Sequence, residues 1–401
     1  MARDVAVVTP WYPSGELPFR GAFVRAMVEA TTPVAEEMTV YHCDSWVARL
    51  SAAEDAAIQK AARELWAHTA DPAETVGGAA LVTVPVVMPR ASSFAEQARR
   101  AADALGGALG GKPIDAEVVH AHVGLLGGLP ALRNMRPDAR LFVTEHATFL
   151  DRMLAEPDGK AGYAEVLAAC EAFFVVGDEL HRQFVEAFPE HESKLRSIAN
   201  PIDFEVSRPE PVTELRRWLF VGGLIERKGV RWLLEAFAVC HADDPSLTLT
   251  VVGTGELEGW LRERAAELGV ADAITLTGAL APDQALELMR EHDLLVHPSR
   301  YETFGVVIIE ALAAGLPVLI TRSGGPEQTL AGIEADAGEF VDVEDAPDAL
   351  IAGFRRLRSR FPSGLDQVRA RRVLAERYGY DAVARSHQEA WFAPSRSGQA
   401  W

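Results

Sequence analysis

The sequence predicts an α/β protein built from two Rossmann-like nucleotide-fold domains, on three observations. In the second half, strand-like runs at about 218–222, 247–252, 274–277, 293–297, 317–321 and 339–343 alternate with helix-patterned segments, which argues for a parallel sheet covered by helices on both faces. The chain opens on Val5-Ala6-Val7-Val8-Thr9-Pro10, a turn-rich loop and a helical pattern, the start of a unit whose ligands gather outside the carboxyl ends of its strands. Between the halves, Ser207-Arg208-Pro209-Glu210-Pro211 has the composition of a linker.

Taken in order, the first strand runs into Trp11-Tyr12-Pro13-Ser14-Gly15 and a helix reaching about Val34, with Gly21 near its start, where a backbone can come close to a ligand. Met38-Thr39-Val40-Tyr41-His42 and Leu81-Val82-Thr83-Val84-Pro85-Val86-Val87 read as strands around an Ala-rich helix from Ala52 to about Asp71. Glu117-Val118-Val119-His120-Ala121-His122 ends in two histidines on one strand face, and Leu141-Phe142-Val143-Thr144-Glu145-His146 ends in another. Histidines at i and i+2 could hold a metal, but no third or fourth ligand stands nearby. Phe220-Val221-Gly222-Gly223-Leu224-Ile225-Glu226-Arg227-Lys228-Gly229 is a strand, a glycine turn and a helix beginning near Lys228. Val252-Gly253-Thr254-Gly255 resembles part of a dinucleotide fingerprint, yet Glu258 occupies the third glycine's place.

Bulk properties exclude several classes. At 401 residues there is room for two domains with substantial cores. A formal charge of −19 argues against nucleic acid, whose phosphates need clustered Lys and Arg, and against an anionic membrane surface. Cys43, Cys170 and Cys240 have no disulfide or metal spacing, the pattern of a reduced, cytoplasmic protein. The apolar start is too short for a signal peptide, and no apolar run approaches the roughly 20 residues that span a bilayer.

The chemistry concentrates in Pro298-Ser299-Arg300-Tyr301-Glu302-Thr303-Phe304-Gly305 and the helix after it. Between Glu302 and Arg322 the only charged residue is Glu310, set in an apolar helical run. A buried carboxylate is costly unless hydrogen-bonded. The amides of Thr303, Phe304 and Gly305 open the helix and favour an anion, phosphate above all.

Two glutamates separated by seven residues, with Phe304-Gly305, Glu310-Ala311 and Gly315-Leu316-Pro317 in register, resemble the signature of the retaining family-4, or group 1, glycosyltransferases of the GT-B fold. The likeness covers nearly the whole chain, most strongly from Trp218 to Glu327. It implies two Rossmann-like domains facing across a cleft: an acceptor-side domain at 1–205, a donor domain at 206–377, and a helix at about 378–401 crossing back onto the first.

The resemblance implies that Glu310 holds the ribose hydroxyls of a nucleotide-diphosphate sugar, a UDP- or GDP-sugar foremost, and Glu302 the sugar-ring hydroxyls. Lys228 and the Thr303 to Gly305 amides would hold the diphosphate, and Gly278-Ala279-Leu280 would meet the base through backbone groups. His122 would orient the sugar or acceptor, with His120 as the fallback; His146 ends the next similar strand, and Gly325 lies in a closing glycine loop. A glycine loop at Gly21 would face the diphosphate and acceptor. Asn200-Pro201-Ile202-Asp203 is similar to the family segment that precedes the linker, with proline in the glycine position. One departure stands out, because Gly223 occupies the place of the family's diphosphate-binding arginine. Either Arg227 compensates, or backbone amides and Lys228 hold the anion.

The expected activity is transfer of a hexosyl group, with retention and front-face attack, to a hydroxyl of a soluble small molecule. Domain closure would exclude water. No Asp-x-Asp is present, so neither metal nor other cofactor is expected. A homodimer stays open. The alternatives are a catalytically weak nucleotide-sugar-binding partner of another transferase, which Gly223 keeps alive, and a GT-B sugar-nucleotide epimerase. A phosphorylase is disfavoured because no pyridoxal-lysine context is evident, and a nicotinamide dehydrogenase rests on fold analogy alone.

Overall fold

The computed structural model describes residues 3–14, 17–48, 52–66, 73–74 and 77–393. The chain divides into two compact units, one formed by residues up to Pro13, Arg20–Ala199 and the residues from Val383 onward, the other by Ser14–Phe19 and Asn200–Ala382. Divisions fall at 199/200 and 382/383, and the short segment Ser14–Phe19 joins the second unit.

The first unit is built on β1 (Asp4–Thr9), β2 (Glu37–Ala48), β3 (Ala73–Glu74), β4 (Ala80–Pro89), β5 (Val118–His122), β6 (Arg140–Glu145), β7 (Ala172–Val175) and β8 (Leu195–Ser197). Their order is β3-β4-β2-β1-β5-β6-β7-β8, parallel except for the two-residue β3. Val5 to Val8 are all buried, as an apolar run must be when helices cover both faces of a parallel strand. Strand β1 lies between β2 and β5, so the order reverses there and leaves a crevice at the carboxyl ends of β1 and β5. The sequence places Trp11 and His122 at that edge.

Two first-unit expectations shift in extent. The strand at 38–42 continues to Ala48, because its pairing with β4 runs to Ala48 opposite Pro89. The helix after Gly21 ends at Thr31, followed by a short 3₁₀ turn at Thr32–Val34. Pro33 in the turn has no N–H to continue the α-helical ladder. The helix from Ala52 ends at Trp66 within the described residues, and the expected extension to Asp71 lies outside them.

The second unit has six parallel strands, β9 (Arg217–Val221), β10 (Thr248–Val252), β11 (Ile274–Gly278), β12 (Leu294–His297), β13 (Val318–Thr321) and β14 (Gly338–Val341). Each lies within two residues of its expected position. The order β11-β10-β9-β12-β13-β14 reverses between β9 and β12. The loops following these two strands, 222–229 and 298–305, are the segments the sequence marks for chemistry, and a doubly wound sheet places its ligands there. Between β12 and β13, the helix Val306–Ala313 buries Ile308, Ile309 and Leu312, each contributing about 1.5–3 kcal/mol. Among the described residues no helix is long and apolar enough to cross a membrane.

Candidate active site

Glycines bring the second unit's loops together. At Gly229, where φ is +68°, a Cβ would lie 2.0 Å from the Pro298 carbonyl oxygen, so only glycine lets the β9 loop seat on the β12 loop. Lys228 therefore stands in a 3₁₀ turn, Glu226–Lys228, and the helix begins only at Val230, two residues later than expected. Gly253 and Gly255, the pair resembling a dinucleotide motif, press against the backbones of Gly222 and Leu224. Their role in the fold is this close approach.

Glu302 is the centre of the site. Its Oε1 lies 2.5 Å from Lys228 Nζ and 2.8 Å from His297 Nε2, while its amide donates to the Ser323 carbonyl. Burial pushes the Glu302 carboxyl up, but the Lys228 ammonium and the His297 hydrogen bond outweigh it, leaving the carboxyl far below its ordinary range. Glu302 is thus held ionised. Its second oxygen, Oε2, has no partner among the described residues and can accept from a ligand hydroxyl. For Lys228, burial lowers the ammonium's pKa, and Glu302 works against that shift. Only one of its three N–H donors is used by the carboxylate.

His297 was not singled out in the sequence. It ends β12, stacks on Phe220 at 5.8 Å and 13°, and is fully enclosed. With Nε2–H donating to an ionised Glu302, its Nδ1 is left as a buried acceptor without a partner. A histidine at the last strand position, five residues before Glu302, is the signal that could have marked it.

Glu310 lies in the helix Val306–Ala313, which follows the Glu302 loop. Its carboxyl has no hydrogen-bond partner among the described residues, and desolvation raises it to about 7. It lines a pocket of about 190 Å³ with Asp203, Asp283, Leu286 and Arg290. Gly305 caps the helix in the left-handed conformation at φ +83°, behind half-buried Thr303 and buried Phe304, whose ring meets Tyr378 edge-on at 5.2 Å. A Cβ on Gly325 would come 2.6 Å from the Phe304 nitrogen, so the glycine loop after β13 packs directly against the 302–304 segment. Gly278, at φ +73°, and half-buried Leu280 follow β11.

The space at Gly223 is open, with nothing within 4 Å of a Cβ there. Arg227 directs Nη1 to the Tyr301 carbonyl at 2.6 Å, which ties it to the Glu302 loop.

In the first unit, His120 and His122 are both buried. His120 is spent within the fold: the Trp391 indole donates to its Nδ1 at 3.0 Å, so Nε2–H donates to Thr144 Oγ1 at 2.7 Å. His122 Nδ1 pairs with His146 Nε2 at 2.8 Å, leaving His122 Nε2 and His146 Nδ1 buried without partners. The rings of His120 and His122 stack at 4.9 Å and 7°, side by side with no shared focus for a metal. Among the described residues no cluster of three or more His, Cys, Asp or Glu could hold one. Burial drives all of these histidines toward the neutral form, His146 to about 3. Val123, just after His122, has φ +65°, an outlier for a β-branched residue, held by its N–H to the Thr144 carbonyl at 2.8 Å. Gly21 is buried at φ +74°, where a Cβ would lie 2.4 Å from the Trp11 carbonyl.

Residues 203–360 match the family model described as glycosyl transferases group 1. The second domain is a group 1 glycosyltransferase domain. Relatives of this chain include a D-inositol 3-phosphate glycosyltransferase of Acidothermus cellulolyticus, 30% identical over 57% of each chain. Another is the glycogen synthase of Mycobacterium tuberculosis, 27% identical over 70% of this chain and 69% of that one. Among solved structures, a sucrose-phosphate synthase from Thermosynechococcus elongatus superposes with a TM-score of 0.71 at 17% identity, over 97% of this chain and 98% of that one. Anabaena HepE, solved with UDP and glucose, superposes with a TM-score of 0.69 at 14% identity, over 98% and 100%. The fold is GT-B.

Proposed function

We propose that the protein is a metal-independent retaining glycosyltransferase of the family-4 type that moves a hexosyl group from a nucleotide-diphosphate sugar to a hydroxyl of a small soluble acceptor. The observation that carries this is Glu302, with one oxygen locked by Lys228 and His297 and the other free, at the head of a helix whose Glu310 is unpartnered. In this reading Oε2 accepts from a sugar hydroxyl and Glu310 takes the ribose hydroxyls. The remaining Lys228 donors and the 303–305 amides meet the diphosphate as charge develops on it. The bond from the anomeric carbon to the phosphate oxygen breaks. The acceptor oxygen bonds to that carbon on the same face, and its proton passes to the departing phosphate. His122 Nε2 orients the sugar or acceptor. UDP is the first nucleotide to try, since the structures of HepE and of the pneumococcal O-GlcNAc transferase GtfA contain it.

A catalytically weak binding protein is the second reading, favoured by the open space at Gly223. Both are tested by thermal shift with UDP, GDP, ADP, TDP and their hexose conjugates in EDTA, followed by assay of nucleotide release. Selective stabilisation with release supports the transferase. Stabilisation without release supports the second reading, and no shift with any nucleotide overturns both.

A further inference from the structure

The first domain contains a second cavity, of about 200 Å³, that the donor chemistry leaves unused. It opens at the carboxyl edge of the sheet, where Trp11 follows β1 and Met88 stands near the end of β4, with Phe94 at the start of the adjoining helix and Phe149 opposite. The aromatic wall is continuous: Phe94 stacks on Phe149 at 5.7 Å and 20°, and Trp11 meets Phe149 edge-on at 5.9 Å. Arg20, Ser45 and Gln97 bring polar side chains to the lining.

Arg20 is the anomaly. Its half-buried guanidinium has neither a hydrogen bond nor an ion pair among the described residues, although it presents five donors. Burying such a group without partners is costly. The Asp44 charge acts on it, but Asp44 Oδ2 accepts from the Trp46 indole at 3.0 Å, and among the described residues Asp44 makes no ion pair with Arg20. The left-handed turn at Gly21, which no side chain could share with the Trp11 peptide, sets Arg20 beside this wall. An unpaired planar fork beside stacked rings matches an oxyanion carried on a ring or compact apolar group. The cavity is smaller than the roughly 300–1,000 Å³ of drug-sized sites, which suits a compact molecule better than a lipid or polymer.

We infer that this cavity binds a small organic oxyanion, a phosphate or carboxylate attached to a ring or compact apolar group, with Arg20 as the anion's partner. Taking that molecule to be the acceptor rests on the transferase reading above.

The test is isothermal titration of the full chain with phenyl phosphate, benzoate and phenol, and separately with UDP. The expected result is that one of the two anions binds wild type at least about tenfold more tightly than phenol. The better anion distinguishes phosphate from carboxylate. Arg20→Ala abolishes that preference, Arg20→Lys keeps part of it because an ammonium lacks the bidentate fork, and Asp44→Asn strengthens it severalfold. UDP affinity stays unchanged in all three. Equal binding of phenol and both anions, or an unaltered preference in Arg20→Ala, overturns the inference. If the anions behave as stated and UDP does not bind, the oxyanion site stands and the transferase reading falls; the converse result removes only the oxyanion site.

Discussion

The two domains present their functional side chains by opposite means. In the second, ionised groups are buried against each other: the Glu302 carboxylate pairs with the Lys228 ammonium and accepts from neutral His297, so that charge offsets the cost of burial. In the first, His120, His122, His146 and His387 are kept neutral and fixed by ring contacts and one or two hydrogen bonds each. A charge-paired site can stabilise a developing charge, whereas a neutral imidazole array can orient hydroxyls without competing for the anion. The difference implies opposite sensitivities to substitution and pH, and each can be broken separately.

The largest effect expected is on the neutral side. Trp391, fully buried and donating to His120, fills a space that Trp391→Ala would leave empty, at about 3–5 kcal/mol. Chemical denaturation of wild type and variant measures it. Nearly equal in size is the loss of the ammonium in Lys228→Ala, which should lower turnover of nucleotide sugar by about 10²- to 10³-fold with the fold retained, read by initial rates and circular dichroism.

Acid should separate the domains next. His387 has its pKa lowered to about 4 by burial, below the unfolded value near 6.5. The unfolded chain therefore binds the proton first, and stability is lost as pH falls from about 6.5 toward 4. At pH 5 this histidine alone accounts for about 2 kcal/mol. Thermal unfolding across that range should show the first domain failing before the second. His387→Gln should flatten the dependence.

The smallest effect is at Glu310. Its carboxyl is raised to about 7, so wild type loses stability as pH climbs from about 4.5 to 7. Glu310→Gln should remove that loss, gaining on the order of 1–2 kcal/mol at pH 8 because partial exposure screens the charge. Melting curves of both proteins at pH 5 and 8 show whether the gap widens.

The sequence made much of this legible, and the reasons are physical. All six strands of the second sheet are short apolar runs between clear breakers, and each was placed within two residues. Glu310 stood out because it is the only charged residue between Glu302 and Arg322, Glu302 by its place in the loop that opens that helix, and Lys228 by its place at the mouth of a glycine turn. His297 did not, since a histidine ending a strand looks like any other until Glu302 folds back onto it. Nor did Trp391, whose contact with His120 joins residues 271 positions apart. The roles of His120 and His122 could not be divided from spacing alone, because that depends on partners from β6 and the last helix. Arg20 was silent for the same reason: its lack of a partner is a fact of three dimensions.

The most direct test of the central claim, that the charge-paired site holds the donor, is hydrogen–deuterium exchange of the full chain with and without UDP. Protection concentrated at 222–230, 278–283 and 302–311, with 118–124 and 144–147 unchanged, is the predicted result. Protection confined to the histidine strands of the first domain would contradict it.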